Sequence, residues 1–342
     1  MQSRGGGARQ IVTGATQRIG IVGAGAWGTA LAQALCRAGR DVAIWARERE
    51  LVAGINHEHE NKLFLPGIAL DVAIRADGDI GAVMDEAALL LLAVPAQHLR
   101  ATCRALGAVA APVVVCAKGI ETDTGALMSE IVAAELPGAA LAILSGPTFA
   151  AEVAKGLPTA VTLAMRDQTT GRALVDALGT RSFRLYLSAD VIGAEIGGAV
   201  KNVLAIACGI VEGRQLGDNA RAAIVTRGLA EMVRLAVAKG GRAETLMGLS
   251  GLGDLVLTCT ANQSRNYSLG VALGQGRALP DVLAERVSVA EGVDSAAAAA
   301  ALARRLGIDM PIVDAVDAIL HRAAPIDDAV AALLARPFRS EA

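Results

Sequence analysis

The stretch RIGIVGAGAWGTALAQAL, Arg18 to Leu35, places three glycines between a short apolar run and a segment with helical spacing. In the pattern Gly23-x-Gly25-x-x-Gly28, the first glycine permits a tight turn, the second lets the backbone approach a pyrophosphate, and the third allows close packing of helix on strand. Unpaired N–H groups at a helix N-terminus also favour an anion. This setting predicts a dinucleotide-binding loop, and a plain structural turn is the alternative.

The second predicted strand, Val42–Trp45, ends where an adenosine ribose is expected to lie. An Asp or Glu at that point would accept a hydrogen bond from a ribose 2′-hydroxyl and indicate NAD. The chain instead carries Arg47, which suits a 2′-phosphate and favours NADP. Glu48 leaves NAD open, and a solvated charge cluster is a further alternative.

Short apolar runs alternate with longer mixed segments from Arg18 to about residue 188, which is typical of a parallel α/β sheet. After Asp190, long Ala-rich segments show helical spacing and no strand is expected. The sequence therefore predicts a flexible tail over 1–16, a Rossmann-like, doubly wound dinucleotide-binding domain over 17–189, and an all-helical domain over 190–342. The individual elements expected are strands at Ile19–Val22, Val42–Trp45, Leu89–Val94, Val113–Cys116, Ala142–Leu144, Ala160–Ala164 and Phe183–Leu187, a first helix ending at Gly39, and helices at Val191–Val211, Asn219–Lys239, Ser295–Leu306 and Ile312–His321.

Composition excludes several classes of function. The net charge is −2, so no global field attracts nucleic acid or an anionic membrane. The apolar segment Val191–Val211 carries Glu195 and Lys201 near its middle, where each charge would cost roughly 2.5–3.5 kcal/mol in a bilayer, so we expect a buried helix and no membrane span. The 5 cysteines are scattered without a CxxC pair, which fits a reducing compartment.

One lysine stands in an otherwise apolar helix. The neighbours of Lys201 at helical spacing are Gly197, Gly198, Leu204 and Ala205, so the helix offers it no polar face. The two glycines indicate that another group approaches the helix backbone closely there. Because burial lowers the pKa of a lysine towards values useful for proton transfer, Lys201 is the candidate general acid and base. A structural lysine is the alternative.

A second polar cluster lies in GLSGLGDLVLTCTANQSRNYSLG, Gly248 to Gly270. Thr258 follows Asp254 by one helical turn, so carboxylate and hydroxyl are expected to share a face. The tripeptide from Ser264 to Asn266 presents a hydroxyl, a guanidinium and an amide, and the guanidinium of Arg265 suits a phosphate. A common surface tripeptide is the alternative.

Two further loops follow predicted strands at the carboxyl edge of the sheet, where open α/β sheets place ligands. Lys118 comes after Val113–Cys116, and SGPTFA, Ser145 to Ala150, comes after the strand ending at Leu144. By contrast, NHEHEN, Asn56 to Asn61, supplies two histidines and no third ligand, so no metal is expected.

The segments GAGAWGTALA, LFLPGI, CAKGIE, SGPTFA, GGAVKN, GLGDL-x-x-T and QSRNY occur in an order that resembles the bacterial NAD(P)-dependent glycerol-3-phosphate dehydrogenases, from about Arg18 to Ala324. The resemblance implies reversible reduction of dihydroxyacetone phosphate to sn-glycerol 3-phosphate with NADP or NAD. It also implies a cytoplasmic homodimer whose product feeds phospholipid synthesis. The chain departs from the pattern in its N-terminal extension and in Ala26, where related sequences often carry Ser.

The resemblance also assigns roles to residues. It implies that Lys201 is the proton donor and acceptor and that Lys118, Asp254 and Thr258 surround the reacting carbon. The substrate contacts that it implies are Lys118, Gly146, Thr148, Asp254, Ser264, Arg265 and Asn266. The cofactor contacts that it implies, with those of the glycine loop, are Gly23, Gly25, Ala26, Trp27, Gly28, Arg47, Lys118, Ala150, Arg265, Val289 and Glu291.

Two other functions remain open from the sequence. A β-hydroxyacid or 6-phosphogluconate dehydrogenase also joins a Rossmann domain to a helical domain with a catalytic lysine, although Arg265-Asn266 and the spacing of Asp254 and Thr258 argue against it. A catalytically silent dinucleotide sensor would not require a buried Lys201.

Overall fold

The computed structural model describes residues 18–85, 87–286 and 290–337. The predicted tail over 1–16 and the predicted cofactor contact Val289 lie outside these residues. The chain forms two compact units. The first contains the residues up to Ala117, Met128–Leu144 and Thr148–Val191, and the second contains Lys118–Leu127, Ser145–Pro147 and the residues from Ile192 onward.

The first unit is built on a parallel sheet. The strands are β1 (Arg18–Val22), β2 (Val42–Trp45), β3 (Glu60–Asn61), β4 (Leu65–Ala69), β5 (Arg75–Asp77), β6 (Ala87–Leu92), β7 (Val113–Val115), β8 (Leu141–Ser145), β9 (Thr159–Ala164) and β10 (Phe183–Ser188). Eight of them form one sheet in the order β10-β9-β8-β7-β6-β1-β2-β5. The pairing is parallel for β1 with β2, β1 with β6, β2 with β5, β6 with β7, β7 with β8 and β9 with β10, whereas β3 pairs antiparallel with β4 in a separate sheet.

Helices connect these strands, as parallel pairing requires. They are α1 (Ala26–Arg37), α2 (Arg49–Ala53), α3 (Ile80–Met84), α4 (Leu99–Leu106), α5 (Met128–Glu135), α6 (Ala150–Lys155) and α7 (Gln168–Leu178), with a π-helical turn at Gly54–Glu58 and a 3₁₀ turn at Ala96–His98. The first helix ends as the sequence predicts, because Gly39 follows it with φ +78°.

The order of strands reverses between β1 and β6, which lie side by side at the centre of the sheet. From β1 the chain builds outward through β2 to β5, and from β6 it builds the other way to β10. Ligands of open α/β sheets bind at the carboxyl ends of the strands beside such a reversal. The glycine loop follows β1, so the topology puts it at that point.

From Ile192 onward, the described residues of the second unit form helices and no strand, which confirms the predicted change of pattern after Asp190. Helix α8 is long and apolar enough to cross a bilayer, yet 89% of its most apolar window is buried within the protein. Such burial is typical of a helix in the core of a folded unit. The helices are α8 (Val191–Gly213), α9 (Asp218–Ala238), α10 (Ala243–Leu246), α11 (Asp254–Thr260), α12 (Arg265–Gly274), α13 (Leu279–Ala284), α14 (Glu291–Leu306), α15 (Pro311–His321) and α16 (Ile326–Leu334), with a π-helical turn at Leu249–Gly253.

Two pairs of glycines bring α8 and α12 into backbone contact. A Cβ atom at Gly209 would lie 2.1 Å from the carbonyl oxygen of Tyr267, and one at Gly270 would lie 2.1 Å from that of Ile206. Gly213 and Gly274 repeat the contact one turn further along. The absence of side chains at these four positions therefore sets the separation of the two helices.

The predicted strands agree with the structure except at their ends. The largest difference is at Leu89–Val94, since β6 begins at Ala87 and ends at Leu92. Ala93 and Val94 lie against Gly23 instead, where a Cβ atom would be 2.8 Å from the Ala93 oxygen. The sequence prediction missed β3, β4 and β5.

Candidate active site

The three glycines of the loop after β1 have the geometry that each predicted role requires. Gly23 has φ +114°, a conformation that residues with side chains rarely adopt. A Cβ atom at Gly28 would lie 1.9 Å from the carbonyl oxygen of Gly23, so only glycine lets α1 pack this closely. A Cβ atom at Gly25 would meet none of the residues that the structure describes within 4 Å, so this face of the loop is open among them.

The N-terminus of α1 fits a negatively charged group. Gly25 is its N-cap, and no side chain there accepts a hydrogen bond from the first turn. The first N–H groups of a helix lack intrahelical acceptors and carry a partial positive charge. Ala26 offers no hydroxyl to satisfy them. The first turn of α1 therefore has no side-chain acceptor at its N-cap, and a helix N-terminus of this kind suits a pyrophosphate.

Trp27 occupies the first turn of α1. Its ring packs edge-on against Phe183 with the ring centroids 6.3 Å apart. Its indole nitrogen Nε1 is buried without a hydrogen-bond partner among the described residues. An unpaired buried donor costs stability, which makes this nitrogen a candidate ligand contact.

Arg47 follows β2, as the sequence predicts, and 78% of its side chain is exposed. Its guanidinium donates to Oε1 of Glu48 at 2.9 Å. The arginine is therefore accessible to a phosphate, but a carboxylate already occupies part of its donor set.

Lys201 lies in the middle of α8 and is buried, with 7% of its side chain exposed. The glycines one turn before it are positions of close approach, as the sequence predicts. A Cβ atom at Gly197 would lie 2.2 Å from the carbonyl oxygen of Ser250. One at Gly198 would lie 2.8 Å from Oγ of Ser145 and 3.3 Å from Cγ of Lys118.

Asp254 binds two ammonium groups at once. Its Oδ1 accepts from Nζ of Lys201 at 2.6 Å, and its Oδ2 accepts from Nζ of Lys118 at 2.7 Å. The carboxylate is fully buried. Nζ of Lys201 also donates to Oγ1 of Thr258 at 2.8 Å, and this hydroxyl donates to the Asp254 carbonyl oxygen at 2.6 Å. One turn of α11 therefore supplies both acceptors of the lysine.

Nζ of Lys118 completes the cluster by donating to the carbonyl oxygen of Gly146 at 2.9 Å. Gly146 itself has φ +150°. The loops after β7 and β8, which the sequence places at one edge, thus meet within the second unit. The structure brings together Lys118, Gly146, Lys201, Asp254 and Thr258.

The electrostatics of this cluster lower the pKa of Lys201. Burial lowers this pKa from 10.5 to about 8, the positive charge of Lys118 acts in the same direction, and Asp254 opposes both. Burial also raises the pKa of Glu291, which the positive charges of Arg265, Lys118 and Lys201 oppose. Glu291 therefore belongs to the electrostatic surroundings of the lysine pair.

The three residues of the tripeptide Ser264-Arg265-Asn266 differ in their surroundings. Oγ of Ser264 caps α12 by accepting from the N–H of Tyr267 at 3.2 Å. Oδ1 of Asn266 accepts from the N–H of Gly292 at 3.0 Å in a buried position. Arg265 is exposed at the first position of α12.

The sequence prediction missed Arg286, which lies beside Arg265. Its guanidinium donates to the carbonyl oxygen of Arg265 at 2.7 Å and to Oγ of Ser268 at 3.2 Å. Burial and the charge of Arg265 lower its pKa. Nothing in the local sequence pattern indicates this contact, because 21 residues separate the two arginines.

The remaining predicted contacts lie in the first unit. Thr148 is half-buried, and Ala150 begins α6 and packs against the core of that unit.

A parallel sheet with a glycine loop at its reversal point, and a helical unit with a buried lysine held by a carboxylate, define a dinucleotide-dependent dehydrogenase. Comparison with known proteins agrees. Residues 18–171 match the family model described as NAD-dependent glycerol-3-phosphate dehydrogenase N-terminus, and residues 190–331 match the corresponding C-terminus. The chain belongs to this family, which confirms the resemblance seen in the sequence and sets aside the 6-phosphogluconate-type alternative.

Individual relatives match over nearly their full length. The glycerol-3-phosphate dehydrogenase [NAD(P)+] of Parvibaculum lavamentivorans is 61% identical over 96% of this chain and 100% of its own. That of Caulobacter vibrioides is 56% identical over 95% of this chain and 99% of its own. The crystal structure of glycerol-3-phosphate dehydrogenase from Coxiella burnetii superposes with a TM-score of 0.91 at 40% identity, covering 94% of this chain and 100% of that one.

Proposed function

We propose that Lys201 donates and accepts the proton when dihydroxyacetone phosphate and sn-glycerol 3-phosphate are interconverted. One observation carries this proposal: the ammonium is buried in an apolar helix and is held by Asp254 and Thr258. A lysine with only a structural role would reach solvent with its charged end. Here the charged end of Lys201 is buried, and this burial lowers the pKa of the lysine.

The proton balance follows from the reaction. NADH or NADPH, when bound, supplies the hydride that adds to the C2 carbonyl carbon. The C2 oxygen gains negative charge and takes a proton from the Lys201 ammonium, leaving an amine. In the oxidative direction the amine accepts the proton of the C2 hydroxyl. A group with a pKa of about 8 suits both directions, because both of its forms are populated close to neutral pH.

Asp254, Lys118 and Thr258 support the proton transfer. Asp254 fixes the direction in which Lys201 presents its protons, and its charge keeps enough of the lysine protonated to donate. Lys118, on the other carboxylate oxygen, places a second positive charge in the cluster, which stabilises an alkoxide that develops at C2.

Arg265 is proposed to bind the substrate phosphate. It is exposed at the first turn of α12, where the helix dipole also favours an anion. The hydroxyl of Ser264 caps that turn and the amide of Asn266 ties it to Gly292, so both residues are proposed to fix the turn as well as to contact the substrate.

The family uses NAD or NADP, and we propose that this chain favours NADP through Arg47. Its exposed guanidinium follows β2, where the fold leads us to expect the group that meets the adenosine ribose. The bound nucleotide would lie on the open face of Gly25 and the first turn of α1, with Trp27 beside it.

We further propose that the protein is a cytoplasmic homodimer whose glycerol 3-phosphate supplies phospholipid synthesis. The 5 cysteines are all buried and none of them forms a disulfide, which fits a reducing compartment. Light scattering after size-exclusion chromatography tests the dimer, and a mass of 34.7 kDa contradicts it.

The decisive experiment compares Lys201→Ala with Lys155→Ala, a lysine at the end of α6 in the first unit. Removal of the proton donor is expected to lower kcat by about 10²- to 10⁴-fold. The dissociation constant for NADH, read by fluorescence, is expected to stay as in wild type. The Lys155 variant is expected to retain full turnover. Near-normal turnover of Lys201→Ala contradicts the proposal.

A further inference from the structure

Asn61 is a buried side chain that contacts the glycine loop. It lies in β3 and is fully inaccessible to solvent. Its Nδ2 donates to the carbonyl oxygen of Ala24 at 2.9 Å and to Oγ1 of Thr29 at 2.8 Å. Its Oδ1 accepts from the N–H of Phe64 at 2.9 Å. Both amide protons and the amide oxygen are therefore used, which fixes the orientation of the amide group.

The Ala24 carbonyl receives a second donor from the same network. Oγ1 of Thr29, which accepts from Asn61, donates to the Ala24 oxygen at 3.3 Å. Two side chains thus hold one carbonyl of the loop from the protein interior. Hydrogen bonds between buried groups are costly to break, because a buried donor or acceptor that loses its partner cannot bond to water instead.

Fixing that carbonyl fixes the next N–H group. The peptide between Ala24 and Gly25 is planar and trans, as are the described peptides of the chain. In a trans peptide the C=O and N–H bonds point in opposite directions. Because the Ala24 oxygen points to Asn61, the N–H of Gly25 points away from it. A Cβ atom built on Gly25 would meet no atom of the described residues within 4 Å, so that side of the residue is open.

We propose that Asn61 is a positioning residue for the cofactor: it holds the Ala24–Gly25 peptide so that the Gly25 N–H is directed at the pyrophosphate. This inference rests on the proposed dinucleotide site at the glycine loop. The effect is common to NAD and NADP, because the pyrophosphate is the part that they share. It is distinct from the role of Arg47, which acts on the ribose.

The same sequence tract supplies a matched control. Asn56 also exchanges two hydrogen bonds with backbone, since its Nδ2 donates to the Ala76 oxygen at 2.8 Å and its Oδ1 accepts from the Ala76 N–H at 2.8 Å. These bonds hold β5 and not the glycine loop. Asn56→Ala therefore removes two hydrogen bonds to backbone from the first unit, the same number as Asn61→Ala, and leaves the bonds to the Ala24 carbonyl in place.

The test measures the dissociation constants of NADH and NADPH by fluorescence titration for wild type, Asn61→Ala, Thr29→Val and Asn56→Ala, with a thermal unfolding midpoint for each. Asn61→Ala is expected to weaken both nucleotides about tenfold, the size of one well-formed hydrogen bond of about 1.4 kcal/mol. Thr29→Val keeps the side-chain shape and is expected to weaken both nucleotides to a smaller extent. Asn56→Ala is expected to lower the unfolding midpoint while leaving both dissociation constants unchanged.

Kinetics give a second readout. In Asn61→Ala the KM for the nucleotide is expected to rise, whereas kcat at saturating nucleotide and the KM for dihydroxyacetone phosphate are expected to stay as in wild type. A general loss of structure would not separate these constants.

Several results would overturn the inference. Unchanged dissociation constants in folded Asn61→Ala do so, as does an equal loss of affinity in Asn56→Ala. If Asn61→Ala does not fold, an unchanged nucleotide affinity in Thr29→Val also overturns the inference. Wild-type protein that binds neither nucleotide contradicts the dinucleotide site itself, and the Lys201→Ala turnover experiment tests the proton transfer separately.

Discussion

Nζ of Lys201 lies 2.6 Å from Oδ1 of Asp254, and both side chains are buried. The two residues are 53 positions apart in the chain and on different helices. Removing the carboxylate leaves two lysines facing each other with no anion between them, so the pair is the electrostatic centre of the site.

The first prediction concerns the pH dependence of turnover. Reduction needs the ammonium form of Lys201, so its rate is expected to be constant below a pKa of about 8 and to fall above it. Oxidation needs the amine, so its rate is expected to rise towards the same pH. Initial rates between pH 6 and 10 in both directions check this prediction. If the reduction and oxidation rates change with pH in the same direction, the assignment is contradicted.

The second prediction is that Asp254→Asn moves the limb of the reduction profile to lower pH. Asp254 raises the pKa of Lys201, and the charge of Lys118 lowers it further once the carboxylate is gone. At pH 8 the reduction rate is expected to fall about tenfold or more, because most of the lysine is then deprotonated. Glu285→Gln, on the surface pair with Arg277, is the control that should keep the wild-type profile.

The third prediction concerns the phosphate. Arg265→Ala is expected to raise the KM for dihydroxyacetone phosphate by about 10- to 100-fold, since a charge-assisted contact contributes roughly 1.5–3 kcal/mol. Arg277→Ala removes an exposed arginine just beyond the end of α12 and should leave the KM unchanged. An unaltered KM in Arg265→Ala would remove Arg265 from the proposed substrate contacts.

The fourth prediction separates the two cofactors. Arg47→Ala is expected to raise the KM for NADPH several-fold more than that for NADH, because only NADPH carries the 2′-phosphate. Steady-state kinetics with each nucleotide give the ratio, and Arg172→Ala on α7 serves as the control. Equal effects on both nucleotides would argue against the preference for NADP.

The fifth prediction concerns stability. Glu231 is buried and accepts from the N–H groups of Ile312 at 2.8 Å and Val313 at 3.2 Å, and burial raises its pKa from 4.5 to about 7. The unfolded chain loses this proton first as pH rises, so wild type is expected to lose stability between about pH 4.5 and 7, by an amount approaching 3 kcal/mol.

Glu231→Gln cannot ionise and is expected to lack this loss. Urea unfolding at pH 5 and pH 8 measures the difference, and the exposed Glu244→Gln is the control. If wild type and Glu231→Gln change stability equally between the two pH values, Glu231 does not ionise as described.

Periodicity and spacing predicted much of the geometry of the candidate site, because its main features are local in sequence. The glycine loop follows its strand directly, and Asp254 and Thr258 are one turn apart, so both could be read from short stretches. The burial of Lys201 also followed from its own helix, which offers no polar neighbour.

Other features depend on contacts that no local pattern contains. The strand β4 includes Pro66 and Gly67, and β5 has only three residues, Arg75–Asp77, so neither carries the alternation that identifies a strand. Lys118 and Asp254 meet across 136 residues. Asn61 is the last residue of NHEHEN, a tract whose sequence draws attention to its two histidines. The contact of Asn61 with Ala24 spans 37 residues, so no local pattern indicates it.

The glycine pairs between α8 and α12 have a consequence for the substrate. Lys201 lies on α8 and Arg265 begins α12, and they are proposed to act on opposite ends of the same small molecule. Since the helices touch through backbone at Gly209, Gly213, Gly270 and Gly274, no change of rotamer can widen or narrow their spacing. The distance between Lys201 and Arg265, and with it the length of substrate that both can contact, is therefore set by main-chain packing. Alanine at any of these glycines would force the two helices apart.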